Sequence, residues 1–325
     1  MSNFAQQLID CLLDGPKSRQ RAQQLILRLS LNNDAQQKTL LKAGYWQDPL
    51  ALYAVLRLIE SEIDPAFAER LYDYFFVQNA AYIKDQHSEA YCCVIEVLAK
   101  KKHAAMKTFL CNLIFEEVDT DADYAIYQTS VLALLHFDLL SHQQSIESKL
   151  QLCLGKHLFD EYIPVLVCKL PLQKQAAWLD KLWELGELCS TDSNGGIIYA
   201  FGLTGELGRS YLQRLLFSPS WEAVDWGTGS VWATYQALKA QGISLLEVWQ
   251  SALKEEDLAF SIYQVLKLIK FYLNTDDSFA ISKQLPLFEM LETNQTLIEN
   301  LGELELYNEI MLEFDELLHL ERVLN

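Results

Sequence analysis

The chain has 325 residues, half of them apolar and 22% charged, with only 13 glycines and 7 prolines. That composition excludes a disordered, collagen-like or low-complexity chain. Acids outnumber bases 44 to 26, a formal charge of −18, which argues against a general binder of phosphate backbones, so no nucleic-acid partner is expected.

From the N-terminus, the segment 1–10 carries no basic leader, and Asp10 interrupts its apolar stretch. A signal peptide is therefore not expected. Nowhere does an apolar run reach the roughly 18 residues that a membrane-spanning helix requires, so a cytoplasmic location and no membrane partner are the expectation. The cysteines Cys11, Cys92, Cys93, Cys111, Cys153, Cys168 and Cys189 are odd in number and show no C-x-x-C spacing. Neither a disulfide framework nor a zinc site is built that way, which leaves buried thiols acting as small hydrophobes.

Helical periodicity runs through almost every longer segment. Leu50–Ile59 has apolar residues at offsets of three and four. Asp48-Pro49 and Asp64-Pro65 each supply an N-cap acceptor followed by a residue suited to the first turn, and Ser218-Pro219 is read in the same way. Lys100–His103 reads as the C-terminal end of the helix that starts near Tyr91, where cations meet the negative dipole end. Asp119–Asp123 opens like a calcium loop, but Tyr124 and Ser130 stand where glycine and a bidentate glutamate are needed. A turn leading into the helix around Tyr127 is the better reading.

Other candidate chemistry also reduces to structure. The six histidines contain no pair at helical zinc spacing, so no metal is expected. Gly202-Leu-Thr-Gly-Glu-Leu-Gly208 lacks the lysine of a phosphate loop and follows a helical stretch, not a strand. Its glycines serve close helix approach or a break between helices. Asp276-Asp277 has alanine, not an acid, three residues further on, and carboxylate pairs such as Glu255-Glu256 read as solvated helix ends. No cofactor is expected, and the fold class is all-α.

A tyrosine stands at or near the start of an apolar helix at Tyr53, Tyr91, Tyr127, Tyr162, Tyr199, Tyr235 and Tyr263, at intervals of 38, 36, 35, 37, 36 and 28 residues. Each interval has room for one more helix. A two-helix unit of this length cannot bury its apolar face alone, so neighbours must stack. In this spacing the sequence resembles the HEAT- and armadillo-like helical-repeat families. The resemblance implies stacked antiparallel helix pairs forming one curved α-solenoid over 1–325. Cap helices would occupy 1–34, repeats 35–290 and acidic cap helices 291–325.

Two regions depart from the pattern. Six tryptophans fall within 178–249, and seven glycines within 195–229. Residues 285–325 hold ten acids and one base, Arg322, and so carry nine of the eighteen excess negative charges. Tryptophan is enriched at binding hot spots, and acids beside it favour a cationic partner. Trp183, Glu184, Glu187, Trp221, Glu222, Asp225 and Trp226 are the candidate partner-binding residues, with core packing as the alternative for their rings. The expected function is non-catalytic recognition of a basic protein through an acidic surface, as by an adaptor or an inhibitor of the immunity type. The alternative is an enzyme with a helix-lined acidic and aromatic pocket within 183–226.

Overall fold

A computed structural model describes residues 65–78, 80, 88–116, 124–156, 161–188, 194–221, 223–225 and 229–324. Every regular element among them is a helix. The chain divides into two compact units, Met1–Lys149 and Leu150–Asn325. Asp48-Pro49, Tyr53 and the acidic turn Asp119–Asp123 lie outside the described residues.

In the first unit, α1 (Pro65–Tyr72) begins on the proline that suits a first turn and runs into a π-helical turn, Asp73–Gln78. Helix α2 (Ser88–Lys100) buries Tyr91, Val94, Ile95 and Leu98. Their spacing of three and four residues makes one continuous apolar stripe. The helix ends at the lysine run, where Lys102 takes the left-handed conformation at φ 54°. His103 caps α3 (Ala104–Cys111): its Nδ1 accepts from the Met106 N–H at 3.4 Å, and its Nε2 lies 2.7 Å from Glu69 Oε2. The His103 ring stacks on Tyr72 at 5.0 Å, which ties α1 to the start of α3. Helix α4 (Tyr124–Leu134) lies along α2, and α5 (Gln143–Lys156) crosses the boundary between the units.

After the end of α5, the second unit continues with a buried 3₁₀ segment, Ile163–Lys169. Tyr162 was expected to head a full helix, and Pro171 explains the shorter element: Leu170, forced extended by that proline, ends the run after seven residues. There follow α6 (Leu172–Leu188), α7 (Asn194–Leu203), α8 (Glu206–Leu216), α9 (Ser230–Ala240), α10 (Leu245–Ala252) and α11 (Leu258–Leu273). After a second 3₁₀ segment, Asp276–Gln284, come α12 (Leu285–Thr293), α13 (Gln295–Asn300) and α14 (Leu304–Leu324). Ser218-Pro219 opens only a 3₁₀ turn, Pro219–Trp221, because Trp221 drops into the core there.

Helix α7 is apolar on every side and is the centre of this unit, with Ile197, Ile198, Ala200 and Phe201 fully buried. It packs on the first 3₁₀ segment, α6, α8 and α9. Contact with α9 is backbone to backbone at Gly202, where an added Cβ would lie 2.3 Å from the Ala237 Cα. From α9 the packing passes to α11 and from α11 to α14, while α6 meets α8 and α10 meets α12. One helix therefore intervenes between Tyr199 and Tyr235 (α8) and one between Tyr235 and Tyr263 (α10). None of the helices among the described residues is long and apolar enough to cross a membrane.

Candidate functional site

The aromatic segment is built from four consecutive elements. Trp183 on α6 and Phe201 on α7 meet Trp221 in the 3₁₀ turn, and Tyr211 on α8 packs on Trp183 and Phe201. Ring centroids lie 4.9 Å apart for Trp183–Trp221 and for Phe201–Tyr211, and 6.0 Å apart for Phe201–Trp221. Gly186 makes the socket for Trp221: a Cβ on it would sit 2.1 Å from the indole Cη2. Trp221 therefore has 0% of its surface exposed. Of the two readings open for its ring, partner surface or core packing, Trp221 takes the core.

Trp183 is half-buried, and Glu184 and Glu187 stand exposed beside it on α6. Its ring face is already taken, because Arg214 of α8 sits 4.2 Å above the centroid. An indole beside carboxylates does attract a cation here, but the cation comes from the same chain. Tyr211, three residues before Arg214 and so on the same face of α8, donates its hydroxyl to Asp180 of α6. Burial, reinforced by that bond, pushes the Tyr211 phenol up to about 12. Asp225 is half-buried, and Glu222 and Trp226 lie outside the described residues. The structure thus joins Trp183 to Trp221 and adds Asp180, Tyr211 and Arg214. Only the helical register of Tyr211 and Arg214 hinted at them in the sequence.

A second cluster pins α9 to the 3₁₀ segment that follows α11. Tyr235 donates to Asp277 Oδ2 at 2.8 Å, and Lys239, one turn further along α9, donates to Oδ1 at 2.8 Å and Oδ2 at 2.7 Å. Burial, followed by the bond to Asp277, drives the Tyr235 phenol far above its ordinary range. Tyr272 donates to the Asp277 carbonyl at 3.3 Å, and burial with the nearby Asp277 charge raises its phenol to about 12. Asp277 is thus a structural clasp. Burial likewise raises the Cys168 thiol to about 11 and holds it protonated at neutral pH.

The acid-rich C-terminal stretch forms α14. Tyr307, Ile310, Phe314 and Leu317 face inward, each at most 5% exposed. The opposite face exposes Glu305, Glu309, Asp315 and Glu316, with Leu312 64% exposed among them. Glu309 bonds Lys270 of α11, and Glu321 accepts from the Ser282 N–H at 2.8 Å and from its hydroxyl at 2.9 Å. Glu309 and Glu321 anchor the helix, while Glu305, Asp315 and Glu316 stay exposed. Among the described residues no group of His, Cys, Asp and Glu is placed to hold a metal ion. Compared with known protein families, curated proteins and solved structures, the chain matches none.

Proposed function

We propose that the chain is a helical-repeat recognition protein that binds a basic protein through an acidic surface, in the manner of an adaptor or an inhibitor of the immunity type. The observation that carries this reading is α14: an anchored helix that exposes Glu305, Asp315 and Glu316 around an exposed leucine, with Glu309 paired to Lys270 beside them. Carboxylates steer a cationic partner and select it, while Leu312 supplies apolar area at the centre of the contact. Packing in the second unit supports the repeat reading over α7, α9 and α11, alternate helices that touch in turn, and α11 then meets α14, three helices further on. Stacks of this kind present extended surfaces for other proteins. Glu184 and Glu187 add exposed acids on α6.

The test is binding to a panel of cationic proteins across a salt series, followed by charge reversal of Glu305 and Glu316. Affinity should fall steeply with salt, and the double reversal should weaken binding about tenfold or more, the expected scale for two contact-surface charges. Affinity indifferent to ionic strength would sink the reading. A pull-down from the native source, read by mass spectrometry, then names the partner.

A further inference from the structure

The α8–α10 gap holds a cavity of about 380 Å³. Helix α8 packs on α6, α7 and α9, and α10 on α11 and α12, but α8 and α10 are not a closely packed pair. One face of each lines the opening. Leu212, Leu216 and Phe217 come from α8 and its end, and Val248 from α10. Leu238 of α9 and Ile243 of the turn before α10 complete the apolar lining. The volume is that of a small-molecule site, at the lower end of a range of about 300–1,000 Å³.

The polar groups of the lining decide which molecule fits. Arg209, Gln213, Gln250 and Lys254 all present N–H donors. Lys254 has no ion pair among the described residues, and Arg209 has only Glu206 at 3.9 Å, a carboxylate 90% exposed to water. Two weakly engaged cations in one opening run against a chain of net charge −18. Of the two carboxylates in the lining, Glu247 is occupied internally. It accepts from the Ser244 N–H at 2.7 Å and the Ser244 hydroxyl at 2.8 Å. Those bonds, with the Arg209 charge as a smaller contribution, hold it below the usual carboxylate range. Glu255 stays exposed at the rim.

We propose that this cavity is a binding site for a small organic anion with an apolar body, an aryl or short alkyl carboxylate or sulfonate. Its body lies on Phe217 and Ile243, the half-buried apolar residues of the lining, over the buried Leu212, Leu216, Leu238 and Val248, and its anionic head meets Arg209 and Lys254. The site goes beyond the partner surface on α14 and shares no residue with it.

The probe is 8-anilinonaphthalene-1-sulfonate, titrated into the folded protein by fluorescence. N-phenyl-1-naphthylamine, with the same aryl body and no charge, is run beside it. Saturable binding of the sulfonate at one site, with much weaker binding of the amine, is expected. Lys254→Glu should weaken the sulfonate about tenfold, the scale of one charge-assisted contact. Lys283→Glu makes the same change in net charge on the exposed surface away from the cavity and should leave binding unchanged. Glu255→Gln should tighten binding severalfold, because it removes the repelling charge that, unlike Glu247, is not engaged by Ser244. Ile243→Trp should abolish binding by filling the space, with helical circular dichroism confirming that each variant is folded. Equal binding of both probes, equal effects of the two lysine reversals, or weaker binding in Glu255→Gln would each overturn the proposal. In the last case the site would prefer a cation or a zwitterion.

Discussion

Of the tyrosines at the recurring spacing, Tyr235 packs its ring against Phe271 and Tyr272 and gives its hydroxyl to Asp277, 42 residues away. Outside that spacing, Tyr211 donates to Asp180, 31 residues away, and Tyr272 to the Asp277 carbonyl. All three phenols are raised above the ordinary value of 10.0. Their folded-state pKa exceeds the unfolded one, so at alkaline pH the folded chain holds more protons than the unfolded chain. Stability should therefore be unaffected below about pH 9 and decline as pH rises from about 10 to 12 and beyond. Thermal unfolding across that range checks this, and Tyr211→Phe with Tyr272→Phe should flatten the decline. A melting temperature that holds steady through the window would contradict it. Tyr235→Phe should cost about 1 kcal/mol at neutral pH by removing the bond to Asp277, measured by denaturant unfolding.

At the scale of elements, start signals worked where a local side chain could satisfy the backbone. Ser244 caps α10, accepting from the Glu247 N–H at 3.2 Å, while the Glu247 carboxylate returns to the Ser244 N–H. Ser244→Ala should cost about 1 kcal/mol in denaturant unfolding, and Ser244→Asp should restore most of it. Retention of full stability in the alanine variant would show that packing alone holds α10. Ser218-Pro219 carries a similar signal and yields only a 3₁₀ turn, since burying Trp221 outweighs extending the helix. The glycine run from 202 to 208 shows the same division. Its spacing pointed to close helix approach, but not to the partner: Gly202 meets α9 at Ala237. Gly202→Val should destabilise by about 2 kcal/mol or more, because backbone on both sides would have to move. Gly202→Ala, a smaller intrusion, should fall between the two.

For the whole molecule, charge is the dominant quantity. The unit 150–325 holds 25 acids and 12 bases, a net −13 of the total −18. Self-repulsion of that size weakens the folded state, and salt relieves it by shortening the screening length from about 30 Å at 0.01 M to about 3 Å at 1 M. The melting temperature should rise with sodium chloride over that range, and a fall would mean that ion pairs such as Lys239–Asp277 outweigh the repulsion. The same excess charge supports the partner reading on α14. It makes the two weakly engaged cations of the α8–α10 cavity an exception with a consequence for what binds there.

Helicity and the acid-rich C-terminus were legible in the chain because each arises within a few turns. Periodicity, caps and charge runs act between residues three to four apart, and no tertiary partner is needed to read them. Tertiary structure decided which indole is core and which is half-exposed, and it supplied Trp183 with Arg214. It also decided that Asp277 is a clasp, and it left a cavity between α8 and α10. Those outcomes depend on side chains tens of residues apart meeting in space, and on small volumes such as the missing Cβ of Gly186 beneath Trp221. Local pattern holds no record of either, because the same apolar stripe can bury itself against many neighbours, and only packing selects one.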